Sequence, residues 1–137
     1  GVIAPLLEAR VGELVIQNRD AARAQRLAQE FTALGTVRAG AGTGNFDLIL
    51  NATSASLRGE LPAIPAQACG RNTLCYDFAY GAAETTFVHW ARKAGAARAV
   101  MGLGMLVEQA AESFLLWRGI RPDTAPVLAA LAAARPT

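Results

Sequence analysis

The sequence predicts an α/β domain built on a parallel sheet, and three observations predict it. Short apolar stretches with β-branched residues alternate along the chain with stretches of helical periodicity. Glycines and polar residues punctuate the alternation where helices should stop and start. Four short segments of polar or small residues directly follow apolar stretches, as in a doubly wound sheet whose ligands bind at the carboxyl ends of its strands. At 137 residues, the chain fits one domain covering 1–137, long enough to bury a core.

Each element has its own local reason. Val2, Ile3, Leu6 and Leu7 recur at helical spacing, and that pattern ends before Gly12. Residues 13–17 (ELVIQ) read as a short strand. Asp20 is a candidate N-cap for a helix over residues 21–34, stopped by Gly35. Residues 36–39 are a short strand, residues 40–45 (GAGTGN) a loop, and residues 46–50 (FDLIL) a buried strand. Pro62 and Pro65 make residues 57–70 a loop with one helical turn. Residues 73–77 (TLCYD) give another strand, and Thr85 caps a helix running to Lys93 with Phe87, Val88 and Trp90 as its apolar residues. Residues 97–101 form the last strand, and residues 103–117 the longest helix, ending at Gly119. A terminal helix over residues 124–134 carries Pro126 in its first turn.

Composition narrows the functional classes. Hydrophobic residues make up 53% of the chain, and the formal charge is +2 with acids and bases interleaved. That balance gives no electrostatic case for nucleic acid or for an anionic membrane. No apolar run reaches the ~18 residues that span a bilayer. Residues 1–7 lack the basic start and cleavage site of a signal peptide and read as a helix entered in its middle. Cys69 and Cys75 are expected to be free thiols of a cytosolic protein. With His89 the sole histidine, no Cys/His set has zinc-ligand spacing, and no metal site is expected. His89 is expected on a helix surface, and Trp90, Trp117 and the phenylalanines in the core.

The four segments after the strands are Asn18-Arg19-Asp20, Asn51-Ala52-Thr53-Ser54, Asp77-Phe78-Ala79-Tyr80 and Met101-Gly102-Leu103-Gly104. In dinucleotide folds the end of the second strand meets the adenosine ribose. An acid there accepts from the 2′-hydroxyl of NAD, and an arginine accommodates the 2′-phosphate of NADP. Arg19 holds that place, with Arg23 one turn later on the same face, so two guanidiniums could grip one phosphate. The bland alternative is two ordinary surface arginines. Asp20 reads mainly as an N-cap, but an acid here also suits NAD. The stretch Gly40-Ala41-Gly42-Thr43-Gly44 resembles a phosphate loop, yet a strand follows it where the fingerprint needs a helix, so it reads as a plain connection. Gly102 precedes a helix, where a glycine lets backbone approach a flat ligand ring. Tyr80 and Gln109 offer a hydroxyl and an amide suited to a polyol or carboxylate, Gln109 having a half-buried core amide as its alternative. Asp77 reads chiefly as structural, with a role in orienting backbone near the site as the other option.

Together NR-x-x-x-R, FDLILNATS, CYDFAY followed by TTF, and GLGMLVEQAAESFLLW resemble the shikimate dehydrogenase family over nearly the whole chain, through the terminal PDTAPVL. The resemblance implies a Rossmann-like NADP-binding domain, the C-terminal half of a cytoplasmic oxidoreductase. That enzyme reduces 3-dehydroshikimate to shikimate in chorismate and aromatic amino-acid biosynthesis. It implies that Asn18, Arg19 and Arg23 hold the 2′-phosphate of NADP. Thr53, Phe78 and Gly102 would line the cofactor near its ribose and nicotinamide, and Tyr80 and Gln109 would reach shikimate. Its partners would be an N-terminal substrate domain and, in a homodimer, a second copy.

The sequence departs from the family pattern in three ways. Asp20 stands where a small hydroxyl residue is usual, and Thr86 where many members have proline. The family's first strand and Gly-rich loop should lie before Gly1, and its catalytic lysine and aspartate lie in the N-terminal domain. No catalytic residue is therefore expected in this chain, which alone should be inactive. In a strand order 3-2-1-4-5-6 the first strand is central. Its neighbours would lose buried backbone bonds worth ~1–3 kcal/mol each. The chain is therefore expected to be a piece of a longer one, or to recruit a replacement strand. Two other functions remain: an NAD-using quinate/shikimate dehydrogenase, which Asp20 favours, and a non-catalytic dehydrogenase-like binding or regulatory module.

Overall fold

A computed structural model describes residues 1–134, in which five strands and five α-helices follow the expected alternation. The chain divides into two compact units, Gly1–Gly44 and the residues from Asn45 onward. All ladders are parallel.

The first unit contains α1 (Ile3–Glu8), β1 (Leu14–Ile16), α2 (Ala21–Glu30) and β2 (Val37–Ala39). β1 pairs with β2 from Leu14 opposite Val37 to Ile16 opposite Ala39. α2 begins where Asp20 turns extended and its carboxylate accepts from the Arg23 amide at 3.1 Å. The helix packs on both strands and buries Ala24 and Ala28, one turn apart. It stops at Glu30, short of residue 34. There the Phe31 amide turns to the Ala28 carbonyl, and the Thr32 amide and hydroxyl both donate to the Gln29 carbonyl. These tighter bonds take up carbonyls that a longer α-helix would have used. Gly35 leaves room for Leu7: a Cβ there would stand 3.0 Å from Leu7 Cδ2.

The second unit contains β3 (Leu48–Asn51), β4 (Leu74–Asp77), α3 (Thr86–Lys93), β5 (Arg98–Met101), α4 (Leu103–Arg118) and α5 (Ala125–Ala133). The sheet order is β3-β4-β5. Its register places Asn51 beside Asp77 and Asp77 beside Met101, so three strands end level. α3 packs on β4 and β5, and its buried Phe87, Val88 and Ala91 form a core with Cys69, Cys75 and Ala99. Cys69 and Cys75 are free thiols with sulfurs 3.9 Å apart. Burial, then the neighbouring Cys69, push the Cys75 thiol up to about 12. Gly119, left-handed at φ 71°, ends α4. Arg121, held by Glu108 and Glu112, and Thr124, held by Glu108, fasten the connection to α5.

Several expectations need correction. β3 starts at Leu48, because the Phe46 amide and carbonyl are taken by Ala68 and the Thr73 hydroxyl. It is only half-buried, with Leu48 36% exposed. The long loop holds two 3-10 turns, Ser56–Arg58 and Ala66–Ala68. Trp117 is 80% exposed and Phe114 43%, so neither is core. Leu115, Leu116 and Trp117 are consecutive, hence ~100° apart around α4, and no single face can bury all three. Trp90 does pack, at 5.7 Å from the Phe87 ring, and His89 is exposed as expected. Among the described residues no helix is long and apolar enough to cross a membrane.

Candidate functional site

The end of β1 is a charged corner. The Asn18 side-chain carbonyl accepts from the Asp20 amide at 3.0 Å, an Asx turn that hands the chain to α2. Asp20 then caps the helix, so the N-cap reading of this acid is the one its geometry supports. Arg19 and Arg23 are exposed, and their guanidiniums have no ion-pair partner among the described residues. Arg38, by contrast, donates to Glu13 at 2.8 Å. Two unneutralised guanidiniums at a helix start, where the dipole is positive, make an anion-accepting corner. The glycine-rich residues 40–44 lead into β3, not into a helix, and carry none of this arrangement.

The ends of β3 and β4 are built the opposite way. Asn51 and Asp77 are 3% and 0% exposed. The Asn51 amide donates to Asp77 Oδ1 and to Ser56 Oγ, both at 3.0 Å. Its carbonyl accepts from the Thr53 amide at 3.2 Å and the Thr53 hydroxyl at 2.7 Å. Asp77 also accepts from Ser56 Oγ at 2.6 Å, Thr85 Oγ1 at 2.7 Å and the Ala79 amide at 3.1 Å. Thr85 in turn caps α3 by accepting from the Val88 amide. Asn51 and Ser56 were not singled out from the sequence as individual groups, and Thr85 was singled out as a helix cap alone. Only the capping position of Thr85 carried a local signal.

The other expected site residues surround this node. Thr53 is exposed, with its hydroxyl proton given to Asn51 and its oxygen accepting from the Ala55 amide. Phe78 is half-buried, edge-on to Tyr76 at 5.9 Å. Tyr80 is 45% exposed, and Gln109 is also exposed, which removes the core-amide alternative. Gly102 is buried against the chain itself. A Cβ there would lie 2.6 Å from the Phe78 carbonyl oxygen, and the Gly102 amide donates to the Ala79 carbonyl. Glycine is therefore demanded by the meeting of two strand ends, whatever ligand approaches. Tyr76, unnoticed in the sequence, accepts from the Met105 amide at 3.2 Å and so serves the first turn of α4. An open hollow lined by Val88, Arg92 and Leu128 also takes in Met101, Leu103 and Gly104 of the fourth segment, but Thr53, Phe78, Tyr80, Gly102 and Gln109 do not line it.

Comparison with known proteins fits these elements to one family. The chain is 53% identical over 134 residues to the shikimate dehydrogenase (NADP(+)) of Alkalilimnicola ehrlichii, covering 96% of this chain and 50% of that protein. Over nearly its whole length the chain is thus similar to one half of a shikimate dehydrogenase. The profile of the shikimate 5′-dehydrogenase C-terminal domain matches residues 102–132, which run from Gly102 through α4 into α5. An Ael1 enzyme from Pseudomonas putida superposes with a TM-score of 0.84 at 45% identity, covering 93% of this chain and 48% of that one. The shikimate 5-dehydrogenase of Thermus thermophilus, solved with NADP(H) and shikimate, superposes with a TM-score of 0.71 at 30% identity, covering 90% and 46%. The fold is thus the Rossmann-like α/β fold of this family. The chain spans about half the length of the curated relatives it matches.

Proposed function

We propose that residues 1–137 are the NADP-binding domain of a shikimate dehydrogenase, the oxidoreductase that reduces 3-dehydroshikimate to shikimate on the route to aromatic amino acids. The observation that carries this reading is the corner at the end of β1. Arg19 and Arg23 stand unneutralised at the start of α2, while Asp20 is turned into the helix cap. That donor set suits the 2′-phosphate of NADP better than the bare 2′-hydroxyl of NAD. Asn18 shapes the turn. Thr53, Phe78 and Gly102 are assigned to the ribose and nicotinamide end, and Tyr80 and Gln109, both exposed, to the polar groups of shikimate.

When bound, NADPH supplies the hydride. The chain's own part is to bind and orient. Its arginines hold the phosphate, and its strand ends set the backbone against which cofactor and substrate lie. Proton transfer falls to groups outside this chain, in the N-terminal substrate domain. His89 sits on α3, 3.6 Å from Glu84, and burial keeps Cys75 a thiol at neutral pH. The length of the relatives supports that division of labour. The two unpaired thiols support a reducing compartment, the cytoplasm. We extend the reading to a homodimer of the complete protein, checked by its mass in solution.

The test is cofactor discrimination in the complete enzyme. Arg19→Ala should weaken NADP binding by ~1.5–3 kcal/mol, the range for charge-assisted hydrogen bonds, and leave NAD binding nearly unchanged. Equal loss for both cofactors would overturn the assignment in favour of an NAD-using enzyme.

A further inference from the structure

The second strand-end cluster bears on how the site keeps its shape. Asp77 is fully buried and accepts at both carboxylate oxygens: Asn51 and the Ala79 amide at Oδ1, Ser56 and Thr85 at Oδ2. Asn51 uses all of its capacity, two donors and two acceptor positions. Among the described residues no cation forms an ion pair with the carboxylate. Its charge is met by short bonds from neutral donors, and each donor belongs to a different segment. Thr53 hangs from one end of this network through Asn51. The segment from Phe78 to Tyr80 hangs from the other, through the Ala79 amide. That segment is also pinned by the Phe78 amide on the Asn51 carbonyl and by Gly102 on the Ala79 carbonyl. A structural carboxylate could be placed anywhere in a core. This one sits where β3 and β4 end and ties down three of the residues assigned to cofactor and substrate.

We propose that Asp77, acting through Asn51, is a positioning residue that fixes the nicotinamide-side and substrate-side surface of the site. The proposal rests on the dehydrogenase reading given above. Ser56 and Thr85 orient the carboxylate from below, and Asn51 and Ala79 transmit its position to Thr53 and to the Phe78–Tyr80 segment. The arginine corner belongs to the other compact unit. Disturbing the network should therefore spoil orientation at the reacting end while the grip on the phosphate end survives.

The experiment uses the complete enzyme and separates binding from turnover. Asp77→Asn keeps the shape but puts a donor against two hydroxyls. Its kcat should fall at least tenfold and its KM for shikimate should rise, while the NADPH dissociation constant, read by fluorescence titration, stays within about threefold. If Asp77→Asn does not fold, Ser56→Ala removes one donor and should lower kcat about threefold or more, and Ser56→Thr should restore it. A variant that melts at lower temperature but turns over normally when folded would overturn the proposal, returning Asp77 to a purely structural role. A parallel tenfold loss of NADPH affinity would also overturn it, because positioning would then extend to the phosphate end. A wild-type enzyme that does not couple shikimate to NADP reduction would overturn the dehydrogenase reading and the proposal with it. Normal wild-type turnover with unaffected variants would sink the proposal alone.

Discussion

At the end of β1 the polar groups face outward and wait, whereas at the ends of β3 and β4 they face inward and are used up. Arg19 and Arg23 are exposed and unneutralised. Asn51 and Asp77 are buried, and every bond they can make is made inside the protein. The physical consequences differ. An exposed guanidinium adds little to folding, because water solvates it well, and it keeps its attraction for a phosphate. A buried carboxylate ringed by donors cannot take a ligand, but it holds loops that can. In the proposed function, one region supplies affinity and the other supplies shape.

Substitutions at four positions break or sharpen that contrast, each read by urea unfolding of the complete protein. The largest effect belongs to Asp77→Leu. It strands the Asn51 amide, the Ser56 and Thr85 hydroxyls and the Ala79 amide in the interior, at ~1–3 kcal/mol for each group left unsatisfied, so the loss should be at least about 3 kcal/mol. A loss below about 1 kcal/mol would erase the distinction between the two regions. Gly102→Ala comes next, at ~1–3 kcal/mol for forced overpacking, since its methyl would meet the Phe78 carbonyl oxygen, a backbone atom that cannot swing away. Asp20→Ala should cost ~1 kcal/mol by uncapping α2, and Asp20→Ser, which keeps a capping oxygen, should cost only a few tenths. If both changes cost the same, the carboxylate is not acting as a cap. Arg19→Ala should shift stability by less than about 0.5 kcal/mol even as it weakens NADP binding.

Much of the fold was legible because its signals are local. Asp20 and Thr85 announce helix starts through bonds three residues away, and Gly119 announces a stop through its own left-handed backbone. Alternation of apolar stretches and helices placed the strands within one or two residues. Boundaries slipped where a distant partner intervened, as when Thr73 and Ala68 took the backbone of Phe46 and delayed β3. Trp117 was misplaced in the core because an aromatic residue on a long helix reads as buried until the neighbours that could cover it are counted. For the site, the segments at the strand ends were legible from order alone. What each residue in them does was not.

The sequence by itself determined the α/β order, the helix caps, the position of Arg19 and Arg23 at a strand end, and the family resemblance. All of these depend on residues near one another in the chain or on short motifs. Only the tertiary structure decided which polar groups were left over to bind anything. The Thr53 hydroxyl is engaged by Asn51, the space beside Gly102 is closed by the Phe78 carbonyl, and Asp77 bonds to a residue 26 positions away. Those partners meet only because parallel register brings Asn51 level with Asp77, and Asp77 with Met101, at the carboxyl ends of three strands. Register is a property of packed strands, so no window of sequence states whether a polar side chain faces a ligand or its own fold.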